Sequence, residues 1–378
     1  MVQPRNFGFG EDEKALKEVA HAFFRDKFPT DRLHRLVASN WKQEQESECY
    51  WDRSLWQEIV ELGWLTIAVP ERLGGAGMST VAVAGLIEEA GRAALPSPLI
   101  STLSACYILD ACATEGADLA LALVVDGKTF SFASGDRYGS WENETCDISV
   151  SDGVLNGTAW FVQEARKADY FLVKAKSELG LGLYVMPANT PGVNICADKI
   201  IDLTRDQAHI VFDNVRYDDV QVVAAPGEAV AALQSATPAM LTILSADMCG
   251  AAEWQLQTTV EYARSRVQFD RPIGFFQAVK HPLVDFMTEI DQSRALTYNA
   301  ACAIDHEPEM AEQFARMAKA AATDAVGYGS RISVQLHGGI GFTWECFVHL
   351  YMKRQLHSQF ILGDAAYQRA KLGALVLA

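Results

Sequence analysis

The sequence predicts a mixed α+β protein in three segments: helical at the N-terminus, a small sheet in the middle, and helical again at the C-terminus. Three observations predict it. Between Glu11 and Cys112 apolar residues recur at helical spacing, as in Leu16, Val19, Ala20 and Phe23, or Leu55, Ile59 and Leu62. Around Leu119 the pattern changes to short β-branched or aromatic runs divided by turn residues. From about Pro226 long Ala- and Leu-rich stretches return, as in Met310–Val334. The corresponding boundaries are 1–117, 118–225 and 226–378.

The N-terminal helices are interrupted at Gly63–Ser79 (GWLTIAVPERLGGAGMS), where Pro70 and Gly74-Gly75 force a turn. In the middle segment the predicted strands are Leu121–Val125, Asp147–Val150, Tyr170–Ala175, Leu183–Met186 and His209–Val215. Asp126-Gly127, Asp152-Gly153 and Asn156-Gly157 read as hairpin turns between them. Near the C-terminus Ala251–Arg264 reads as one long amphipathic helical run.

With 378 residues, 49% of them hydrophobic, the chain can bury a large core divided into two or three domains. A net charge of −16 argues against nucleic acid or an anionic membrane as partner, since both repel an acidic protein. Met1–Asp12 is mixed and contains glycine, unlike a secretory signal. No apolar run of about 20 residues free of charges, able to span a bilayer, is expected. The eight cysteines (Cys49, Cys106, Cys112, Cys146, Cys196, Cys249, Cys302 and Cys346) are scattered without a C-x-x-C pair, so they read as reduced core residues of a cytoplasmic protein, with no metal site.

Two runs carry most of the functional signal: Arg266–Gln277 (RVQFDRPIGFFQ) and Gln335–Thr343 (QLHGGIGFT). The first offers a guanidinium, an aromatic ring and an amide, suited to pyrophosphate, adenine and ribose. The second brings Gly338, Gly339 and Gly341 together, so that backbone N–H groups can approach a ligand that a Cβ would keep away. Taken alone, Arg266 also reads as an exposed helix-end salt bridge, and Gly338-Gly339 as a helix break. Neither run is the G-x-G-x-x-G that opens a helix after a strand, so a Rossmann domain is not supported.

As a pair, the runs resemble the acyl-CoA dehydrogenase family. There an R-x-x-F-x-x-x-I-x-x-x-Q run and a Q-x-x-G-G-x-G run hold the ADP half of FAD, reaching across a subunit interface to the neighbour's flavin. Arg266, Phe269, Ile273 and Gln277 match the first pattern; Gln335, Gly338, Gly339 and Gly341 match the second. Gly63–Ser79 resembles the family's G-W-x-x-x-x-V-P-E-x-x-G-G-x-G run, and the order of segments is the family's architecture: N-terminal helical domain, middle β domain, C-terminal four-helix bundle. The resemblance implies FAD as cofactor, an acyl-CoA substrate dehydrogenated at Cα–Cβ, and an electron-transfer flavoprotein as acceptor.

That chemistry needs a carboxylate to take the α-proton, desolvated so that its basicity rises, and donors on the thioester oxygen. The family places the glutamate in one of two positions. One precedes a Q-R pair near the C-terminus and corresponds to Leu362 in Ile361–Asp364, ahead of Gln368-Arg369; the other lies ten residues before Gly250, at Met240. Both are apolar, so the resemblance implies no catalytic residue in this chain. The family's W-x-T/S run, whose hydroxyl reaches the flavin ring, reads Trp160-Phe161-Val162, and its T-E-P-x-A-G-S-D-like segment reads Phe132–Gly139 (FASGDRYG). Trp160 alone reads better as a core aromatic.

An intact clamp beside a missing base implies one subunit of a divided, hetero-oligomeric acyl-CoA dehydrogenase, whose homologous partner supplies the glutamate in an α2β2 assembly. FDRPIG, QLHGGIGFTWE and LGDAAYQR are similar to such chains in bacterial breakdown of steroid side chains, which makes a steroid thioester the favoured substrate. Weaker candidates for a displaced base are Asp364, Asp247 and Glu253; Gln359 cannot take up a proton as a carboxylate does, and Arg205 reads as a strand-end salt bridge. A self-sufficient homo-oligomeric flavoenzyme (dehydrogenase, oxidase or monooxygenase) and a scaffold that binds no flavin remain as alternatives.

Overall fold

A computed structural model describes residues 3–38, 49–216 and 221–377; Met1 and Val2 of the mixed N-terminal segment lie outside it. The chain opens with helices α1 (Glu11–Lys27), α2 (Thr30–Ala38), α3 (Arg53–Glu61), α4 (Thr80–Arg92), α5 (Leu99–Cys112) and α6 (Glu115–Val125). Capping sets several of their starts: Asp52 accepts from Leu55 N–H, Ser79 from Ala82 N–H and Thr114 from Ala117 N–H.

The last helix corrects the sequence reading, because Leu121–Val125 is the end of α6 and not a strand. Thr114 provides a cap, and Ala117, Ala120, Leu121 and Val124 place buried side chains at helical spacing, which outweighs the β-branched ending. Asp126-Gly127 therefore closes a helix, and the sheet begins only at Phe130.

The middle strands are β1 (Phe130–Ala133), β2 (Ile148–Ser151), β3 (Val154–Gln163), β4 (Tyr170–Ser177), β5 (Gly180–Pro187), β6 (Val193–Ala197), β7 (Gln207–Arg216) and β8 (Gln221–Ala224). They form one sheet in the order β6-β7-β3-β2-β4-β5-β8, with β1 beside β4. Asp152-Gly153 is the predicted hairpin turn, with φ of 51° and 72° at its two central residues. Asn156-Gly157 is not a turn: it sits inside β3 at a register shift, where a Cβ on Gly157 would come within 2.1 Å of the Asp147 carbonyl oxygen. Alternation along β4 sends Phe171, Val173 and Ala175 into the sheet's own core and Leu172 toward the helices.

The C-terminal bundle comprises α7 (Ala229–Ser265), α8 (Gln277–His306), α9 (Pro308–His337), α10 (Val348–Ser358) and α11 (Ala365–Leu377), with a two-strand hairpin, β9 (Val267–Gln268) and β10 (Arg271–Pro272), between α7 and α8. Among the described residues α7 is the one helix long and apolar enough to cross a bilayer; its uncharged stretch ends at Asp247, and 72% of its apolar window is buried inside the fold, where it is the spine of the bundle. It meets α4 backbone to backbone. A Cβ on Gly250 would fall 1.8 Å from the Glu88 carbonyl oxygen, and one on Gly91 2.2 Å from that of Asp247, so both glycines are required by close approach.

Candidate active site

Met240 and Leu362, the two positions where the resemblance places a glutamate, converge. Met240 projects from α7 and Leu362 from the turn between α10 and α11, and both line an open cavity of about 460 Å³ and a narrower one of about 90 Å³. Both cavities lie between the sheet and the bundle, with Phe132, Ser134 and Trp141 on the sheet side. Leu362 is in the left-handed region (φ 58°) and Gly363 follows at φ 92°. This turn is held from inside: the buried Lys319 ammonium on α9 donates to the carbonyls of Gln359 and Gly363 at 3.0 and 3.2 Å and to Thr323 Oγ1 at 3.0 Å. Burial pushes its pKa down to about 7.

The other candidate carboxylates are engaged elsewhere. Asp247 is fully buried, with one oxygen 2.6 Å from Arg205 Nη2 and the other 2.5 Å from Arg354 Nη2. Arg354 also donates to Thr204 Oγ1 and Arg205 to Ser358 Oγ, so Asp247 anchors the sheet's return loop onto the bundle. Arg205 thus makes the expected salt bridge just ahead of β7, and the pair is buried and joins two segments. Glu253 pairs with Arg294 at 2.6 Å. Asp364 accepts from Tyr367 N–H and caps α11; together with Gln359 it lines a separate cavity of about 860 Å³.

That third cavity shares Trp141, Phe161 and Gln163 with the narrow one. Val162 does not face it. A register shift between Ala159 and Val162, with Phe161 at φ 57°, turns Val162 into the sheet core and leaves Phe161 and Gln163 on the cavity side. The lack of a hydroxyl at Val162 therefore says little about this wall, which instead carries the Gln163 amide, hydrogen-bonded to Gln207 and to His357 Nε2 at 2.9 Å. Burial holds His357 down to about 4, so the neutral ring donates to the Gln163 oxygen. Trp160 stacks on His209 at 5.1 Å and also reaches the narrow cavity. Glu164 was not singled out from sequence: it is buried, lines the narrow cavity beside Met240 and Leu362, has φ 56°, and pairs with Lys167 at 2.6 Å. Burial raises its pKa. A carboxylate following an aromatic-rich strand is the signal that could have found it.

The clamp residues gather at the other end of α7. Tyr262 stacks on His337 at 4.4 Å and its hydroxyl reaches the His337 carbonyl, so the last turns of α7 and α9 are pinned together. The runs that leave those turns, Arg266–Gln277 and Gln335–Gly341, emerge side by side. Phe269 and Asp270 form the left-handed tip of the β9-β10 hairpin (φ 56° and 61°), with Phe269 84% exposed. Arg266, Gln277, Gln335, Gly338 and Gly339 are exposed too. Among the described residues none pairs with the Arg266 guanidinium, which removes the helix-end salt bridge as its explanation. A Cβ on Gly338 or Gly339 would meet no atom within 4 Å, whereas one on Gly341 would come within 2.8 Å of the Val334 carbonyl oxygen. Packing requires Gly341, and φ of 63° favours glycine at 338, but nothing inside the chain requires Gly339. A free guanidinium, an exposed ring, two amides and open backbone suit the ADP portion of a dinucleotide.

Residues 10–118 match the acyl-CoA dehydrogenase N-terminal domain and residues 241–377 the C-terminal domain. The chain is 34% identical over 307 residues to the acyl-CoA dehydrogenase IpdE2 of Mycobacterium tuberculosis, covering 80% of each. It belongs to the acyl-CoA dehydrogenase family. Two solved structures similar to this family member are two-chain complexes. The ChsE4-ChsE5 complex from Mycobacterium tuberculosis matches with a TM-score of 0.83 at 25% identity, over 98% of both chains. The Tcur3481-Tcur3483 steroid acyl-CoA dehydrogenase matches with 0.82 at 29%, over 97% of this chain and 98% of that one. The helical, sheet and helical segments of this acyl-CoA dehydrogenase are thus the family fold, and its class is that of an enzyme.

Proposed function

We propose that this chain is one subunit of a hetero-oligomeric, FAD-dependent acyl-CoA dehydrogenase that introduces a Cα–Cβ double bond into a CoA thioester, with the catalytic glutamate supplied by a homologous partner. The carrying observation is the convergence of Met240 and Leu362 on one cavity with no glutamate at either position. The position of the clamp supports the sharing of FAD. Met240 and Arg266 are 26 positions apart along α7, about 39 Å at ~1.5 Å per residue, further than one dinucleotide extends. Arg266, Phe269, Gln277, Gln335, Gly338 and Gly339 then hold the ADP half of an FAD whose ring belongs to another subunit. Bound there, FAD would supply the hydride acceptor for the β-carbon, and the partner's carboxylate would serve as the base for the α-proton. Likeness to a two-chain steroid enzyme supports an α2β2 assembly and a steroid-derived acyl group; an electron-transfer flavoprotein as acceptor and a cytoplasmic location complete the reading.

Expression alone should give a colourless, inactive protein, and co-expression with a glutamate-bearing homologue a yellow, active complex. A yellow, active homotetramer would sink the proposal. A second reading, a self-sufficient enzyme with a displaced base, has one observation in its favour: Glu164 is a buried carboxylate in the cavity wall beside Met240. In that case Glu164→Gln abolishes turnover of the chain purified alone.

A further inference from the structure

Lys174 lies on β4 two residues beyond Leu172, so strand alternation turns it to the face that meets the helices. It is 4% exposed and lines the 460 Å³ cavity that holds Met240 and Leu362. Its Nζ makes one hydrogen bond, to the Glu142 carbonyl oxygen at 3.3 Å, which leaves two of the three ammonium donors unused. The neighbouring cations in that wall are committed. Arg316 donates to Glu312 and to the Gln368 side-chain oxygen, and Lys371 pairs with Glu142 at 2.5 Å. Among the described residues no carboxylate pairs with Lys174. A buried ammonium with no carboxylate in direct contact is costly, and desolvation lowers its pKa against smaller opposing contributions from Cys146, Asp136 and Glu144. An apolar side chain at this strand position would pack without that cost.

We propose that Lys174 anchors an anionic oxygen group of the ligand that enters this cavity. The chemistry is that of a phosphate or carboxylate on an acyl-CoA thioester. Two sources are open: a CoA phosphate, or a carboxylate carried by the acyl group. The choice of thioester rests on the proposed function, but the anchor does not depend on which subunit provides the base.

The test compares the co-expressed complex with its Lys174→Met and Lys174→Arg variants, by calorimetric binding of butyryl-CoA, glutaryl-CoA and S-butyryl-pantetheine. Lys174→Met is expected to weaken binding about tenfold or more, with partial rescue by arginine. Loss for both CoA thioesters but not the pantetheine thioester assigns the anion to a CoA phosphate; loss for glutaryl-CoA alone assigns it to the acyl carboxylate. The melting temperature without ligand should hold or rise, because a buried unpaired charge is removed. Unchanged binding of all three ligands, or equal weakening of all three, overturns the proposal. A yellow, active homotetramer would refute the divided enzyme and leave this binding test standing.

Discussion

Along α7 the two ends of one helix are treated in opposite ways. Near Met240 and Asp247 carboxylates meet guanidinium groups, glycines admit backbone to backbone, and the two positions that would carry a base are apolar side chains lining a cavity. Past Ser265 the chain presents Arg266 without an ion pair, Phe269 at an exposed hairpin tip, and two glycines with open space beyond their Cα atoms. The first end surrounds a cavity walled by this chain, and the second presents its polar and aromatic groups to solvent. Residues at the first end are fixed by packing within the chain, whereas Arg266, Phe269 and Gly339 at the second are not.

The largest effect expected from breaking the inward end is on stability. Asp247→Ala leaves Arg205 and Arg354 buried without their anion and should cost about 3–5 kcal/mol in thermal or urea unfolding; a loss below about 1 kcal/mol would show that this cluster does not hold the sheet to the bundle. Acid comes next. His349 and His357 are held near 4 by burial, against an ordinary value of 6.5. Between those values the unfolded chain binds more protons than the folded one, so stability should fall as pH drops from about 6.5 to about 4. His357→Gln should flatten that slope, and an unaltered slope would contradict the assignment.

How far this contrast was legible in the sequence differs between its two ends. The two runs stand out because the residues within each are close in the chain and, Gly341 and the half-buried Ile273 apart, their motif residues face solvent. The middle segment was harder. Leu121–Val125 looked like a strand because apolar β-branched residues suit both states, and Thr114, whose hydroxyl starts α6 and also reaches the Val223 carbonyl, decides it through a contact over a hundred residues away. Val162 stands where a motif has its hydroxyl residue, yet one bulge in β3 changes which residues face the cavity. Lys174 sat inside a correctly predicted strand, but its burial in a cavity wall without a direct ion pair exists only after the sheet meets the bundle.

Smaller effects sharpen the comparison at the outward end. Gly341→Ala should destabilise the chain by about 1–3 kcal/mol, since its Cβ would press on the Val334 carbonyl oxygen and His337. Gly339→Ala should leave the melting temperature of the chain nearly unchanged and lower its cofactor retention in the complex. If the two variants unfold alike, packing and ligand roles have not been separated. Phe269→Ala should be the mildest in stability, within about 0.5 kcal/mol, while raising the dissociation constant for the partner or for FAD; no change in either would leave the exposed ring without a role.

The most direct test of the divided site is the flavin content of the co-expressed complex after Arg266→Ala in this chain alone, read from the absorbance ratio of flavin to protein after gel filtration. An assembled complex that has lost most of its FAD, and regains it only at high added FAD, is the expected result. A complex that keeps its full complement of FAD would contradict the central claim that this chain holds the ADP half of a shared cofactor.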